Sequence, residues 1–150
     1  IYLTTPYFVP PFRLFRRLRH AARRGVDVRI LVPLASDVRI VDYAAQSFFT
    51  LALKSGIKIY RYQANTLHAK TAIIDDRWAT VGSTNLDNFS FLFNYEANIV
   101  TEDRSCIVDL KNHFFADIAE AEEVQFNQWI QRSLLWKVIE ILTWPIHSVL

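Results

Sequence analysis

The chain has 150 residues, 51% of them hydrophobic and 21% charged, which suits one compact domain with a sizeable core and excludes a disordered chain. Three Gly, five Pro and one Cys exclude a collagen-like or linker-like chain and a disulfide framework, and the lone thiol points to a reducing compartment. The net charge of +2 conceals a segregation: Ile1 to Ile40 holds eight arginines against Asp27 and Asp37, and Thr101 to Val124 holds seven carboxylates against Arg104 and Lys111.

Ile1 to Thr5 reads as a short apolar strand ended by Pro6, and the prolines at 10 and 11 suit the first turn of a helix. The longest uncharged run, Ile1 to Phe12, is shorter than the about 18 residues a spanning helix needs. The absence of Met and the opening on a strand pattern predict a piece of a longer protein. From Pro11 to Arg24, Leu14, Phe15, Leu18, Ala21 and Ala22 share one helical arc, while Arg13, Arg16, Arg17, His20, Arg23 and Arg24 share the other. Gly25 closes this helix as a left-handed cap before a strand over Val26 to Val32. Ser36 or Asp37 caps a second helix with a stripe of Val41, Ala44, Ala45, Phe48, Leu51 and Ala52. Gly56 ends it before a strand from Ile57 to Tyr60.

Alternating strands and helices at this spacing predict right-handed crossovers and a parallel or mixed sheet covered by helices. Further strands are expected at His68 to Ile74, Trp78 to Val81 and Tyr95 to Val100. A helix from Arg104 to about Ala121 turns Ile107, Leu110, Phe114 and Ile118 inward. The tail from Gln125 to Leu150 carries Leu134, Leu135, Val138, Ile141 and Leu142 near Trp129, Trp136 and Trp144. It reads equally as an amphipathic helix packed on protein or as an interfacial membrane helix.

The chemistry gathers between His68 and Glu96. Two residues apart on a strand, His68 and Lys70 point to one face, which sets an imidazole beside an ammonium. A lysine is a point charge for phosphate oxygens, and a neutral imidazole nitrogen can attack phosphorus. Gly82 and Ser83 bring backbone and hydroxyl to the same spot, and Asn85 adds an amide donor. Glu96 is a candidate to hold the other ring nitrogen of His68. Singly, a His near a Lys is most often a solvated strand, and Gly-Ser-x-Asn is most often a turn. Together they are far more specific.

His68-x-Lys70, four residues, Asp75, six residues, Gly82-Ser83-x-Asn85 resembles the HKD signature of the phospholipase D superfamily, with every defining position filled. Residues 1–10 (IYLTTPYFVP), 21–32 (AARRGVDVRILV) and 78–100 (WATVGSTNLDNFSFLFNYEANIV) resemble the second half of bacterial cardiolipin synthases. Asn85-Leu86-Asp87, Ser90 and Asn94-Tyr95-Glu96 favour that branch over the superfamily's nucleases, and the likeness fades beyond Glu123. The resemblance implies an α/β fold, a phospholipase D-like mixed sheet flanked by helices, forming one lobe of a two-lobed enzyme. That lobe would span 1–123, followed by a helical tail over 124–150.

The same resemblance makes His68 the nucleophile that forms a phosphohistidine, Lys70 and Asn85 the phosphate holders with Ser83 assisting, and Glu96 the partner of His68. Asp75 would brace its turn by hydrogen bonds. It implies a phosphatidyltransferase that makes cardiolipin from phosphatidylglycerol, with no metal and no cofactor, at the cytoplasmic side of a bacterial inner membrane. Its partners would be an anionic phospholipid, the membrane surface and a second HKD half, and not nucleic acid. Only one HKD copy is present: His20, His113 and His147 lack its spacing. The second would come from a missing N-terminal portion or from another copy in a homodimer, and the isolated chain would otherwise be inactive.

Two other readings use the same residues. With water as acceptor the site is a phospholipase D, or a phosphodiesterase acting on nucleic acid, for which the arginine face of the first helix offers a contact surface. Alternatively, the chain is a silent binding half, against which the intact reactive positions argue.

Overall fold

The computed structural model describes residues 1–35, 38–64, 67–133 and 136. Its strands are β1 (Tyr2–Thr4), β2 (Arg29–Pro33), β3 (Lys58–Tyr62), β4 (Thr71–Ile74), β5 (Trp78–Gly82), β6 (Asn98–Thr101) and β7 (Ala121–Glu123). Its helices are α1 (Phe12–Arg23), α2 (Arg39–Leu53), α3 (Asn88–Leu92), α4 (Arg104–Ala119) and α5 (Phe126–Ile130). One mixed sheet has the order β6-β5-β4-β1-β2-β3-β7. β1, β2 and β3 are parallel neighbours, and the remaining pairs are antiparallel.

Burial separates two layers. Phe15 and Leu18 of α1, Phe48 and Phe49 of α2 and Trp129 of α5 pack with Leu3 and Ile30 on one face. Ile107 and Phe114 of α4 pack with Leu31, Ile73 and Ala79 on the other. Alternation along each strand divides the sheet's residues between these two cores. The arginine side of α1 faces outward, as expected, although Arg19 donates to Ser55 Oγ at 2.8 Å. Gly25 has φ +92°, the left-handed conformation the helix end requires.

The strand ends depart from expectation for one recurring reason, which is the supply of partners. β1 pairs Thr4 with Thr71, so His68, Ala69 and Lys70 lie in a non-strand lead-in to β4. Likewise Gly82 pairs with Asn98, so β6 begins there and not at Tyr95. Val26 to Val28 precede the β1–β2 pairing, which opens at Tyr2 and Arg29. α4 stops at Ala119, and Ala121–Glu123 becomes an edge strand against Tyr60–Tyr62. A charged edge strand carries no apolar alternation to read. The five-residue helices α3 and α5 are too short to show a helical period in the sequence. The proposed caps Ser36 and Asp37, and most of the tail, lie outside the described residues; Trp129 of α5 is buried against Phe49, with ring centroids 5.1 Å apart.

Candidate active site

Parallel pairing of β1 to β3 sends their C-terminal ends to one edge, where ligands of open α/β sheets bind. Antiparallel β4 starts at that edge and antiparallel β5 returns to it. The lead-in carrying His68 and Lys70 and the exit carrying Gly82, Ser83 and Asn85 therefore meet there. One hydrogen bond joins the two segments, from Gly82 N to Lys70 O at 3.1 Å.

His68 is exposed, and its ring meets Tyr7 edge-on with centroids 6.4 Å apart. Tyr7 belongs to the loop after β1, which is fixed by Thr5 N donating to Leu31 O at 3.1 Å and Thr5 Oγ1 donating to Tyr7 O at 2.9 Å. A bridge from Phe8 to Leu86 ties that loop to the segment after β5. Lys70 folds back so that Nζ donates to His68 O at 2.9 Å, which holds the cation beside the imidazole segment. Sequence reasoning missed Tyr7. Its position in the loop at the C-terminal end of β1 was the available signal.

The second cluster joins the end of β5 to the start of β6. Ser83 N donates to Ala97 O at 3.0 Å, and Ala97 N donates to Ser83 Oγ at 3.0 Å. Ser83 Oγ donates in turn to Glu96 Oε2, and Asn94 Nδ2 donates to Glu96 Oε1 at 3.3 Å. A carboxylate only accepts, so the single hydroxyl proton of Ser83 is committed to Glu96. Among the described residues, Glu96 thus accepts from Ser83 and Asn94. Thr84 and Asn98 close the next rung, side chain to side chain.

The Ser83 hydroxyl, helped by the Asn94 amide and the charge of Lys70, holds the Glu96 carboxyl below the usual glutamate range. A depressed native value contributes stability above the unfolded-state pKa and loses it as pH falls through the native one. The gap in thermal midpoint between wild type and Glu96→Gln should therefore narrow as pH drops from 7 to 3. A gap that stays constant over that range would show that Glu96 is not held ionised.

Asn85 is half-buried, and its Oδ1 is buried with no hydrogen-bond partner among the described residues. Asp75 stands apart, in the turn between β4 and β5 at the opposite end of β4 from His68 and Lys70. Asp75 and Asp76 both have φ +52°, and Arg77 N donates to Ile74 O at 3.1 Å. Aspartate tolerates this conformation better than most residues. The ion pair at the turn is made by Asp76, to Lys111 Nζ at 2.7 Å, and not by Asp75.

Gly82 is required by space and not by its backbone angle. A Cβ there would lie 1.8 Å from Asn98 Oδ1, 2.4 Å from Ala97 O and 2.6 Å from Asn98 Cα. The close approach of β5 and β6 that lets Ser83 reach Glu96 thus depends on a missing side chain.

The family described as cardiolipin synthase, phospholipase D-like domain, matches residues 1–118. Cardiolipin synthase 1 of Bacillus cereus is 40% identical over 140 residues, covering 93% of this chain and 28% of that protein. Cardiolipin synthase A of Pseudomonas putida is 42% identical over 125 residues, covering 83% of this chain and 26% of that protein. The chain thus spans little more than a quarter of the length of these relatives. Among solved structures, the phospholipase D family member Nuc from Salmonella typhimurium superposes with a TM-score of 0.69 at 21% identity, covering 82% of this chain and 80% of that one. Phosphatidylserine synthase from Haemophilus influenzae superposes with a TM-score of 0.72 at 16% identity, covering 99% of this chain and 39% of that one. Both likenesses are of fold.

Proposed function

The chain belongs to the cardiolipin synthase, phospholipase D-like domain family, and from this we propose that it supplies one half of the active site of a phosphatidyltransferase that joins two phosphatidylglycerols into cardiolipin. The observation that carries the proposal is the convergence of His68, Lys70, Ser83, Asn85 and Glu96 at one sheet edge, drawn together by the Gly82–Lys70 and Ser83–Glu96 hydrogen bonds.

In this reading a neutral His68 nitrogen attacks the phosphorus of phosphatidylglycerol. The bond from phosphorus to the glycerol headgroup breaks, and a protonated histidine from a second HKD half gives its proton to the departing oxygen. The hydroxyl of a second phosphatidylglycerol then attacks the phosphohistidine, returns a proton to that partner histidine and releases His68. Lys70 and the Asn85 amide hold the phosphate oxygens. Ser83 and Glu96 are positioning residues, since the Ser83 proton is engaged by Glu96. Asp75 serves the turn. The direct experiment offers the full-length protein phosphatidylglycerol vesicles with plasmid DNA as competitor. Cardiolipin and free glycerol are expected, whereas phosphatidic acid alone or cut plasmid would favour a hydrolase.

The reading also calls for a surface on this chain against which the second half packs. Between Asn85 and Glu96, Phe91 is 52% exposed, Leu92 and Phe93 are each 70% exposed and Tyr95 is fully exposed. An apolar patch of this kind beside a half-site marks an interface. In the proposal the other HKD half packs there, supplied by the rest of a polypeptide as long as the relatives, or by a second copy; light scattering separates these sources. No helix among the described residues is long and apolar enough to cross a membrane, and the basic face of α1 supports peripheral contact with anionic lipid. Phe93→Asp should cut transfer by roughly tenfold or more while leaving the melting temperature within a degree or so, as expected for an exposed interface residue. Unchanged transfer would exclude this patch as the docking surface.

A further inference from the structure

The loop after β1 is buried almost throughout. From Leu3 to Pro10 every residue except Tyr7 is buried, and Thr5, Phe8 and Val9 are fully so. Prolines at 6, 10 and 11 fix φ, and no glycine interrupts the run. Phe8 packs edge-on against Phe15 and Phe48, with ring centroids 6.2 and 6.3 Å away. The backbone on either side of Tyr7 is therefore anchored, by Thr5 to Leu31 of β2 and by the Phe8–Leu86 bridge to the segment after β5. A half-exposed aromatic side chain on so rigid a support has a fixed direction, and its ring meets the imidazole of His68 with 83° between the planes. Centroids 6.4 Å apart lie within the about 4.5–7 Å of edge-to-face aromatic pairs.

The backbone around His68 is held as well. Leu67 is buried in the core beneath α4, and Lys70 O accepts from Gly82 N at 3.1 Å. Backbone anchors do not orient an exposed ring. The last torsion of a histidine side chain is broad and roughly two-fold, and a half-turn about it exchanges a ring nitrogen with a ring carbon. One of these two orientations offers a given nitrogen to a phosphorus atom at the sheet edge, and the other offers carbon. A contact on the ring itself selects between them, and Tyr7 makes one.

We propose that Tyr7 is a positioning residue whose ring, held out by the rigid loop after β1, fixes the plane of the His68 imidazole so that the attacking nitrogen faces the phosphate site. The proposal rests on the reading that His68 attacks phosphorus, and it holds for any phosphodiester bound there.

The test compares Tyr7→Leu, Tyr7→Phe and His68→Ala in the full-length protein, with bis(p-nitrophenyl) phosphate as substrate. The His68 nitrogen forms its bond to phosphorus as the bond from phosphorus to p-nitrophenolate breaks. That anion leaves with the electron pair and needs no proton, so the first turnover reports attack separately from the partner histidine. Tyr7→Leu should slow it on the order of tenfold, with KM within about twofold of wild type, as expected when attack and not binding is impaired. Tyr7→Phe, which keeps the ring, should retain the wild-type rate. Both variants should melt near wild type, since the buried anchors of the loop are untouched. Equal slowing in the two variants would assign the effect to the hydroxyl, and an unchanged rate in Tyr7→Leu would remove Tyr7 from the reaction; either result overturns the proposal. A wild-type rate in His68→Ala would instead overturn the reading beneath it, and the proposal with it. Nuclear magnetic resonance of histidines isotopically labelled at Cε1 gives a second measurement that needs no turnover. The His68 signal, identified by its loss in His68→Ala, should move in Tyr7→Leu, where the ring current of Tyr7 is gone, and stay in place in Tyr7→Phe. No movement in Tyr7→Leu would show that the two rings do not meet in solution and would overturn the proposal on geometry alone.

Discussion

Replacing His68 with Ala in the full-length protein should lower phosphatidyl transfer by about 10⁴-fold or more, the scale seen when a covalent nucleophile is removed. The fold should survive, because His68 is exposed, meets Tyr7 edge-on and belongs to neither core. Transfer and melting temperature should thus separate, the first collapsing while the second stays near wild type. Substrate affinity should change little, since Lys70 and Asn85 keep their places. Transfer within tenfold of wild type would remove His68 from the reaction.

The second large effect is expected from the addition of one methyl group. In Gly82→Ala the new Cβ would fall within 2.6 Å of three atoms, two of them backbone atoms of Ala97 and Asn98. Backbone in a paired strand cannot swing aside, so β6 must move away from β5. That movement separates Ser83 from both Ala97 and Glu96 and loosens the Gly82–Lys70 link on the other side. Overpacking of this kind costs about 1–3 kcal/mol, readable as a lower urea midpoint. A displacement near 1 Å at a reacting site costs on the order of 100-fold in rate. Both losses should appear together in Gly82→Ala. Gly25→Ala gives the contrast: its φ of +92° makes the substitution strained and should lower the midpoint, but a Cβ there meets nothing within 4 Å, so transfer by the folded protein should stay near wild type. Wild-type rate and midpoint in Gly82→Ala would mean that strand spacing does not set the site.

Much of this was readable from residue order. Helical spacing found α1, α2 and α4, because each buries one face against a core that the period reveals, and apolar runs bounded by Pro6, Gly25 and Gly56 found the central strands. The motif found the residues that meet at the sheet edge because its spacing is that of a hairpin: His68 and Lys70 enter β4, and Gly82 to Asn85 leave β5. Less legible were features set by a partner far along the chain. The Tyr60–Glu123 pairing turned an acidic segment into β7, and no local pattern announces that. The contact of Glu96 with Ser83 is hidden for the same reason: Ala97 pairs with Ser83, 14 residues back along the chain, which brings the carboxylate to the serine hydroxyl. The sequence brings Gly82 to the site, but its need for an absent side chain shows only in its distance to β6.

Trapping the covalent intermediate would decide whether His68 carries the phosphatidyl group. The full-length protein would be mixed with phosphatidylglycerol labelled in its phosphate, quenched in alkali where a phosphorus–nitrogen bond survives, and digested with trypsin. The label should sit on the peptide from Tyr62 to Lys70, which contains His68 as its only histidine, and should vanish in His68→Ala. Label on any other peptide, with cardiolipin still formed by His68→Ala, would contradict it.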